Sequence, residues 1–166
     1  MNIGIIGAGN LGTGLAKRLI AQGHSVMLSF TRSDDTLKEA AEALNARAGT
    51  PSEAARFGHV VILSSKWADT AEAIRQIGSI AVTKVLWDCS NPMKPDMTGL
   101  LIGTNTSGGE EVAKLAPWAK VVKAIPPCLH PSFQLFRNWT PIMIPSAMSL
   151  SVDRPLQMTG LTNVGS

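Results

Sequence analysis

A chain of 166 residues holds enough material for one domain with a full core and too little for two of ordinary size. Apolar residues make up 45% of it and charged residues 16%, the balance of a globular protein built round a buried sheet. The net charge of +3 is mild and the Lys and Arg residues are scattered, which excludes a nucleic-acid-binding face made of a basic block but suits a polyanionic small molecule. Met1 leads directly into a strand-like run and the longest apolar stretches are far shorter than a bilayer, so neither a secretory leader nor a membrane span is expected. Cys89 and Cys128 stand alone, as do His24, His59 and His130; this spacing predicts no metal site and fits a reducing cytoplasm.

Residues 2–6 are a short apolar run ending at Gly7, the pattern of a buried parallel strand. A helix is predicted from about Leu11, where Leu11, Leu15 and Leu19, with Ala16 and Ile20, keep helical spacing up to a stop at Gly23. Residues 24–30 read as a second strand and residues 34–46 as a helix rich in Ala, Leu, Glu and Lys. Thr50, Pro51, Ser52 and Glu53 form a capping box with proline at the first helical position, so a further helix begins there. A third strand at 60–63, a helix at 68–77 and a strand at 84–87 follow, then a loop-like stretch at 89–106. Ser107 to Glu110 is a second capping box opening a helix to about Ala116, and residues 119–125 supply another strand.

Strands and helices alternate throughout, which predicts an α/β fold: a doubly wound, mostly parallel sheet with helices on both faces. Past residue 125 the pattern stops. Residues 126–166 hold six prolines, no amphipathic helix and one candidate strand at 140–144. The expected organisation is a domain at 1–125 followed by an irregular or incomplete C-terminal segment at 126–166.

Gly7, Ala8, Gly9, Asn10, Leu11 and Gly12 spell GxGxxG between a predicted strand and a predicted helix, the context that marks a Rossmann dinucleotide site. Gly7 permits the tight turn, Gly9 lets the backbone approach a pyrophosphate, and Gly12 lets the helix pack closely on the sheet. The helix N-terminus then offers unpaired N–H groups to the phosphates. The bland alternative is a strand-to-helix turn with no ligand.

The end of the second strand chooses between cofactors. An NAD site carries Asp or Glu there to bind the ribose hydroxyls. This chain has Ser29, Phe30, Thr31, Arg32 and Ser33 instead. A carboxylate repels a 2′-phosphate, whereas a guanidinium flanked by hydroxyls holds one through charge-assisted hydrogen bonds, so NADP is expected, with Arg32 as the clamp and Thr31 and Ser33 as lesser donors. Against this, Arg32 reads as an ordinary solvated residue, Ser33 as a helix cap, and Asp34 and Asp35 as acids that favour the helix dipole and partly offset Arg32.

With these residues placed, the chain resembles the NADP-dependent oxidoreductases typified by NADPH:coenzyme F420 (deazaflavin) oxidoreductases. Their dinucleotide-binding unit is related to that of pyrroline-5-carboxylate reductases and of the cytoplasmic domain of six-transmembrane ferric reductases. The resemblance runs from Met1 to about Pro127. It rests on IGIIGAGNLGTGLAKRL, on Thr31-Arg32-Ser33, on ILSSKW after the third strand, on the Asn91-Pro92 loop and on TSGGEEVAKLAPWAKVVKA at 106–124. It implies that Ala8, Asn10 and Leu11 touch the pyrophosphate and that Arg32 and its neighbours hold the 2′-phosphate. It further implies that Ser64, Ser65, Lys66 and Trp67 line the path from adenosine to nicotinamide, with Asn91 and Pro92 near the nicotinamide. Lys66 stands where relatives often carry proline and reads as solvated, while Trp67 reads as a packing residue before a stacking platform. Asp88 reads as the organiser of its own loop and Ser107 as a cap. No catalytic residue is assigned: neither cysteine has a basic neighbour to activate it, and His130 is isolated.

Hydride transfer asks the protein mainly to align two rings, so the lack of a catalytic constellation is compatible with an enzyme. The leading expectation is an NADP oxidoreductase passing hydride between NADPH and a flavin-like acceptor, with the deazaflavin F420 as the named candidate. The alternatives are reduction of another small acceptor such as an imine, and an NADP-binding protein without turnover, either a sensor or a shortened relative. Family members continue with further βα elements, and an exposed sheet edge would favour a homodimer.

Overall fold

In the computed structural model, which describes residues 1–31, 33–96, 98–102 and 105–124, strand and helix alternate from the first residues onward. The expectations for Arg32, Cys128, His130, the strand at 140–144 and the segment 126–166 lie outside the described residues. β1 (Asn2–Ile6) leads to α1 (Asn10–Ala21), β2 (Ser25–Ser29) to α2 (Asp34–Leu44), and a short β3 (Arg47–Ala48) to α3 (Pro51–Phe57). β4 (Val60–Leu63) leads to α4 (Trp67–Ile77), and β5 (Val85–Asp88) passes through a long connection to α5 (Gly108–Leu115) and β6 (Lys120–Lys123). The sheet order is β3-β2-β1-β4-β5-β6 and every pairing is parallel. The chain winds outward from β1 to β3, then returns to the other side of β1 with β4. This is the doubly wound Rossmann-type arrangement that the alternation predicts.

Successive strand residues face opposite sides of the sheet, and the two cores divide accordingly. Ile3, Ile5, Val26, Leu28 and Ile62 pack beneath Ala16 of α1 and Leu37 and Ala41 of α2. Ile6, Val61, Leu63 and Leu86 pack on the other face beneath Ala54 of α3, Ala73, Ile74 and Ile77 of α4, and Val112 of α5. Ile5 and Ile6 thus enter different cores, which fixes the register of β1. No helix among the described residues is long and apolar enough to cross a membrane.

The helix ends follow local chemistry. Gly23, at φ 79, closes α1, with His24 N–H donating to Leu19 O at 3.0 Å. The helix expected over 34–46 stops earlier, because Asn45 turns left-handed at φ 53 and the Ala46 N–H reaches back to Ala41 O at 2.8 Å. That turn frees Arg47 and Ala48 to pair with Met27 and Leu28 as β3, an element too short to show a periodicity. The strand expected over 24–30 ends at Ser29, since Phe30 adopts φ 60. The strand expected over 84–87 is shifted by one residue, to Val85–Asp88. Both capping boxes form: the Thr50 and Ser107 hydroxyls accept from the Glu53 and Glu110 N–H groups, and each glutamate accepts from the backbone N–H of its cap.

These exposed carboxylates carry a pH dependence. Hydrogen bonds from Thr50 hold Glu53 below the usual carboxylate range, hydrogen bonds from Ser107 and Thr106 lower Glu110, and bonding to Arg75 and then Gln76 lowers Glu72 to about 2. A depressed folded-state pKa supplies stability that is present above the unfolded value of 4.5 and is lost as pH falls through the folded value. The unfolding temperature is therefore expected to hold steady from about pH 7 to pH 5 and to fall below about pH 4.5, with Glu72→Gln shallower than the parent chain. Thermal melts by circular dichroism across that range check it; a Tm unchanged at about pH 3 would contradict it.

Candidate functional site

The carboxyl ends of parallel strands all point the same way, so the loops after β2, β1, β4 and β5 lie side by side at one edge of the sheet. These four loops carry Thr31 and Ser33, then Gly7 to Gly12, then Ser64 to Trp67, then Asn91 and Pro92. Neighbouring strands are spaced about 4.8 Å apart, so the row from β2 to β5 covers about 14 Å. The winding reverses between β1 and β4, and the glycine turn sits at that switch.

The glycine turn is built by close contacts. Gly7 has φ 115, a conformation that favours glycine, and a Cβ there would lie 2.6 Å from the Ser64 carbonyl carbon and the Ser65 nitrogen. Its N–H donates to Ser29 O at 2.9 Å, and its carbonyl accepts from the Ser64 hydroxyl at 2.8 Å. Gly12 is buried, and a Cβ there would overlap the Gly7 carbonyl oxygen and approach Ser64 Oγ to 2.9 Å. Gly9 differs: its backbone is extended at φ −79 and ψ −170, and a Cβ would meet no described residue within 4 Å. Gly9 and Asn10 are exposed, Leu11 is half-buried, and Ala8 is buried.

α1 is also electrostatically distinct. Its cap residue, Gly9, makes no side-chain hydrogen bond and its first turn holds no acid. α3 and α5 are closed by capping boxes, while α2 and α4, which lack side-chain caps, carry Asp34, Asp35 and Asp69 in their first turns. Among the described α-helices, α1 alone leaves its positive end without a side-chain cap or a first-turn carboxylate. An anion is the natural partner for such an end.

After β2, the Thr31 hydroxyl donates to Ser33 O at 2.6 Å and accepts from the Ser33 N–H at 3.2 Å. Ser33 is the cap residue of α2 but makes no side-chain cap bond. These two bonds tie Thr31 to Ser33 just before α2. Asp34 and Asp35 are exposed in the first turn that follows.

After β4, the serines turn inward. Ser64 Oγ is spent on the glycine turn, and Ser65, buried, bonds through Oγ to Thr70 Oγ1 at 3.2 Å. Their hydroxyls thus hold the edge together. Lys66 is exposed, and half-buried Trp67 packs against the α3–α4–α5 core. After β5, Pro92 is buried and Asn91 half-buried. Pro92 lies against the start of α5, where a Cβ on Gly108 would meet Pro92 Cδ at 3.2 Å and the Trp67 ring at 3.6 Å.

Asp88 organises its loop as the sequence predicts. Fully buried, its Oδ1 accepts from the Ser90 N–H at 2.8 Å and the Ser90 hydroxyl at 2.6 Å. Sequence reading missed its other partner residue, Lys123, whose Nζ donates to Asp88 Oδ2 at 3.0 Å and to the Ser90 carbonyl. Cys89, between them, is buried, and burial with the neighbouring Asp88 charge pushes its thiol up to about 12. Such a thiol stays protonated and is no nucleophile. Among the described residues, no group of three or more His, Cys, Asp or Glu is arranged to hold a metal ion.

Residues 2–92 match the family model described as NADP oxidoreductase coenzyme F420-dependent. Among solved structures, a protein from Arthrobacter sp. FB24 assigned as an F420-dependent NADP reductase aligns with a TM-score of 0.65 at 23% identity, over 73% of this chain and 60% of its own. A hypothetical protein from Sinorhizobium meliloti aligns at 0.64 with 27% identity, over 75% and 60%. A 1-pyrroline-5-carboxylate reductase from Streptococcus pyogenes shares the fold at 0.51 with 18% identity, over 74% and 41%. The chain thus spans about 60% of the length of the first two.

Proposed function

The chain belongs to the coenzyme F420-dependent family of NADP oxidoreductases, and on that premise we propose that it binds NADP(H) along the carboxyl edge of its sheet and passes hydride between the cofactor and a flavin-like acceptor, with the deazaflavin F420 the first candidate. NADP is the cofactor of the family. The observation that carries the reading is the N-terminus of α1: no side-chain cap, no first-turn acid, and no described residue within 4 Å of a Cβ on Gly9. These are the features a pyrophosphate needs, since its oxygens must reach backbone N–H groups without meeting a side chain or a like charge.

In this reading the α1 N-terminus, with Ala8, Asn10 and Leu11, binds the pyrophosphate. Thr31, Arg32 and Ser33 hold the 2′-phosphate. The segment 64–67 and the Asn91-Pro92 loop border the nicotinamide end. Ser64 acts by holding the glycine turn, and Trp67 and Pro92 give that end an apolar wall. When bound, the nicotinamide supplies or accepts the hydride; the protein orients it and excludes water. No side chain is required to move a proton. The proposed setting is the reducing cytoplasm, where Cys89 stays a buried thiol.

Calorimetric titration with NADPH and NADH, followed by an acceptor panel read at the NADPH absorbance band, tests the reading. NADPH should bind at least about tenfold more tightly than NADH, and F420 or a flavin should bleach the band. Oxidation by imines alone would replace the acceptor class, and tight binding without any bleaching would leave a binding protein in place of a reductase.

A further inference from the structure

We infer that Lys123 is a positioning residue for the nicotinamide end of the site, acting through Asp88 and Ser90 on the loop that carries Asn91 and Pro92; this rests on the cofactor placement proposed above. The β5–β6 register sets Asp88 opposite Lys123 at the carboxyl ends of both strands. Asp88 is wholly buried and spends one oxygen on Ser90 and the other on the Lys123 ammonium at 3.0 Å. The same ammonium also holds the Ser90 carbonyl, so one cation bridges the carboxylate at the strand end and the backbone just before Asn91.

The bridge lies within the wall it steadies. The Lys123 stem lies along the first turn of α5, where a Cβ on Gly109 would meet Lys123 Cβ at 3.2 Å, and the preceding residue, Gly108, packs against Pro92. About a third of the lysine side chain, 34%, is exposed, while the carboxylate is 0% exposed. Removing the ammonium leaves a buried carboxylate with Ser90 as its one remaining partner among the described residues and releases the carbonyl that precedes Asn91. Loosening is expected at the β5 end of the edge, whereas the β2 end is built from other residues: Thr31 with Ser33, and Gly7 with Ser29.

The 166-residue chain, Lys123→Met, Lys123→Arg and the double variant Asp88→Asn/Lys123→Met are titrated with NADPH and with adenosine 2′,5′-bisphosphate, which carries the adenosine half alone. Lys123→Met is expected to lose about tenfold in NADPH affinity with bisphosphate affinity within about twofold of the parent, and Lys123→Arg to recover most of the loss. Equal losses for both probes, or an unchanged NADPH affinity, overturn the inference. If Lys123→Met fails to fold, the double variant, which strands no buried charge, carries the same comparison. A parent chain that binds neither probe removes the cofactor placement itself, a failure distinguishable from one confined to the variants.

Discussion

Gly9→Ser is expected to leave the fold intact and cut NADPH affinity by at least about tenfold, while Gly12→Val disrupts the fold and the binding together. Both residues belong to one hexapeptide, yet their surroundings oppose each other. No described residue comes within 4 Å of a Cβ on Gly9, its backbone is in the extended region open to any residue, and serine is a favoured helix cap. The new hydroxyl is free to bond the N–H groups of the first turn and so compete with a phosphate for them. Stability should stay within about 0.5 kcal/mol of the parent, or rise.

Gly12 has no such latitude. A Cβ there overlaps the Gly7 carbonyl and crowds Ser64 Oγ at 2.9 Å, so valine forces α1 off β1 and opens the core beneath Ala16. Overpacking of this kind costs about 1–3 kcal/mol, and more where backbone blocks relaxation. Thermal melts and calorimetry on both variants separate the cases. A Gly9→Ser chain that bound NADPH as the parent does would remove the pyrophosphate from this turn.

The two glycines also mark what was legible in the sequence. Strand, turn and helix lie within a dozen residues, so the motif declares itself by spacing. The capping boxes at Thr50 and Ser107 declare themselves by pattern, since cap and partner are three residues apart. β3 was not legible, because it exists only where Asn45 turns left-handed, and two residues have no period to read. Ser64 and Ser65 were legible as positions at the edge but not as orientations: past a strand end the alternation lapses, a tertiary contact turns one hydroxyl to Gly7, and a local one turns the other to Thr70 in the first turn of α4. The Asp88–Lys123 pair joins residues 35 apart, and its existence depends on the register of two strands that a long loop and a helix separate.

Arg32→Ala is expected to weaken NADPH binding by about 10- to 100-fold and NADH binding by less than about threefold, the range set by charge-assisted hydrogen bonds of about 1.5–3 kcal/mol. Arg32 lies outside the described residues, so the expectation rests on its described neighbours. β2 ends at Ser29, Phe30 turns the chain at φ 60, and Thr31 is hydrogen-bonded to Ser33 at the carboxyl edge beside the glycine turn. No carboxylate occurs from Ser25 to Ser33, so nothing there is built to hold ribose hydroxyls or repel a 2′-phosphate. Asp34 and Asp35 oppose the clamp from the first turn of α2, and both are exposed, so solvent screens them. Asp34→Asn should accordingly raise NADPH affinity a few-fold at low salt and lose that advantage as salt rises. Calorimetric titration of Arg32→Ala with both cofactors decides the matter. Equal losses for NADPH and NADH would make Arg32 a generic anchor of the loop and remove the 2′-phosphate contact from the site.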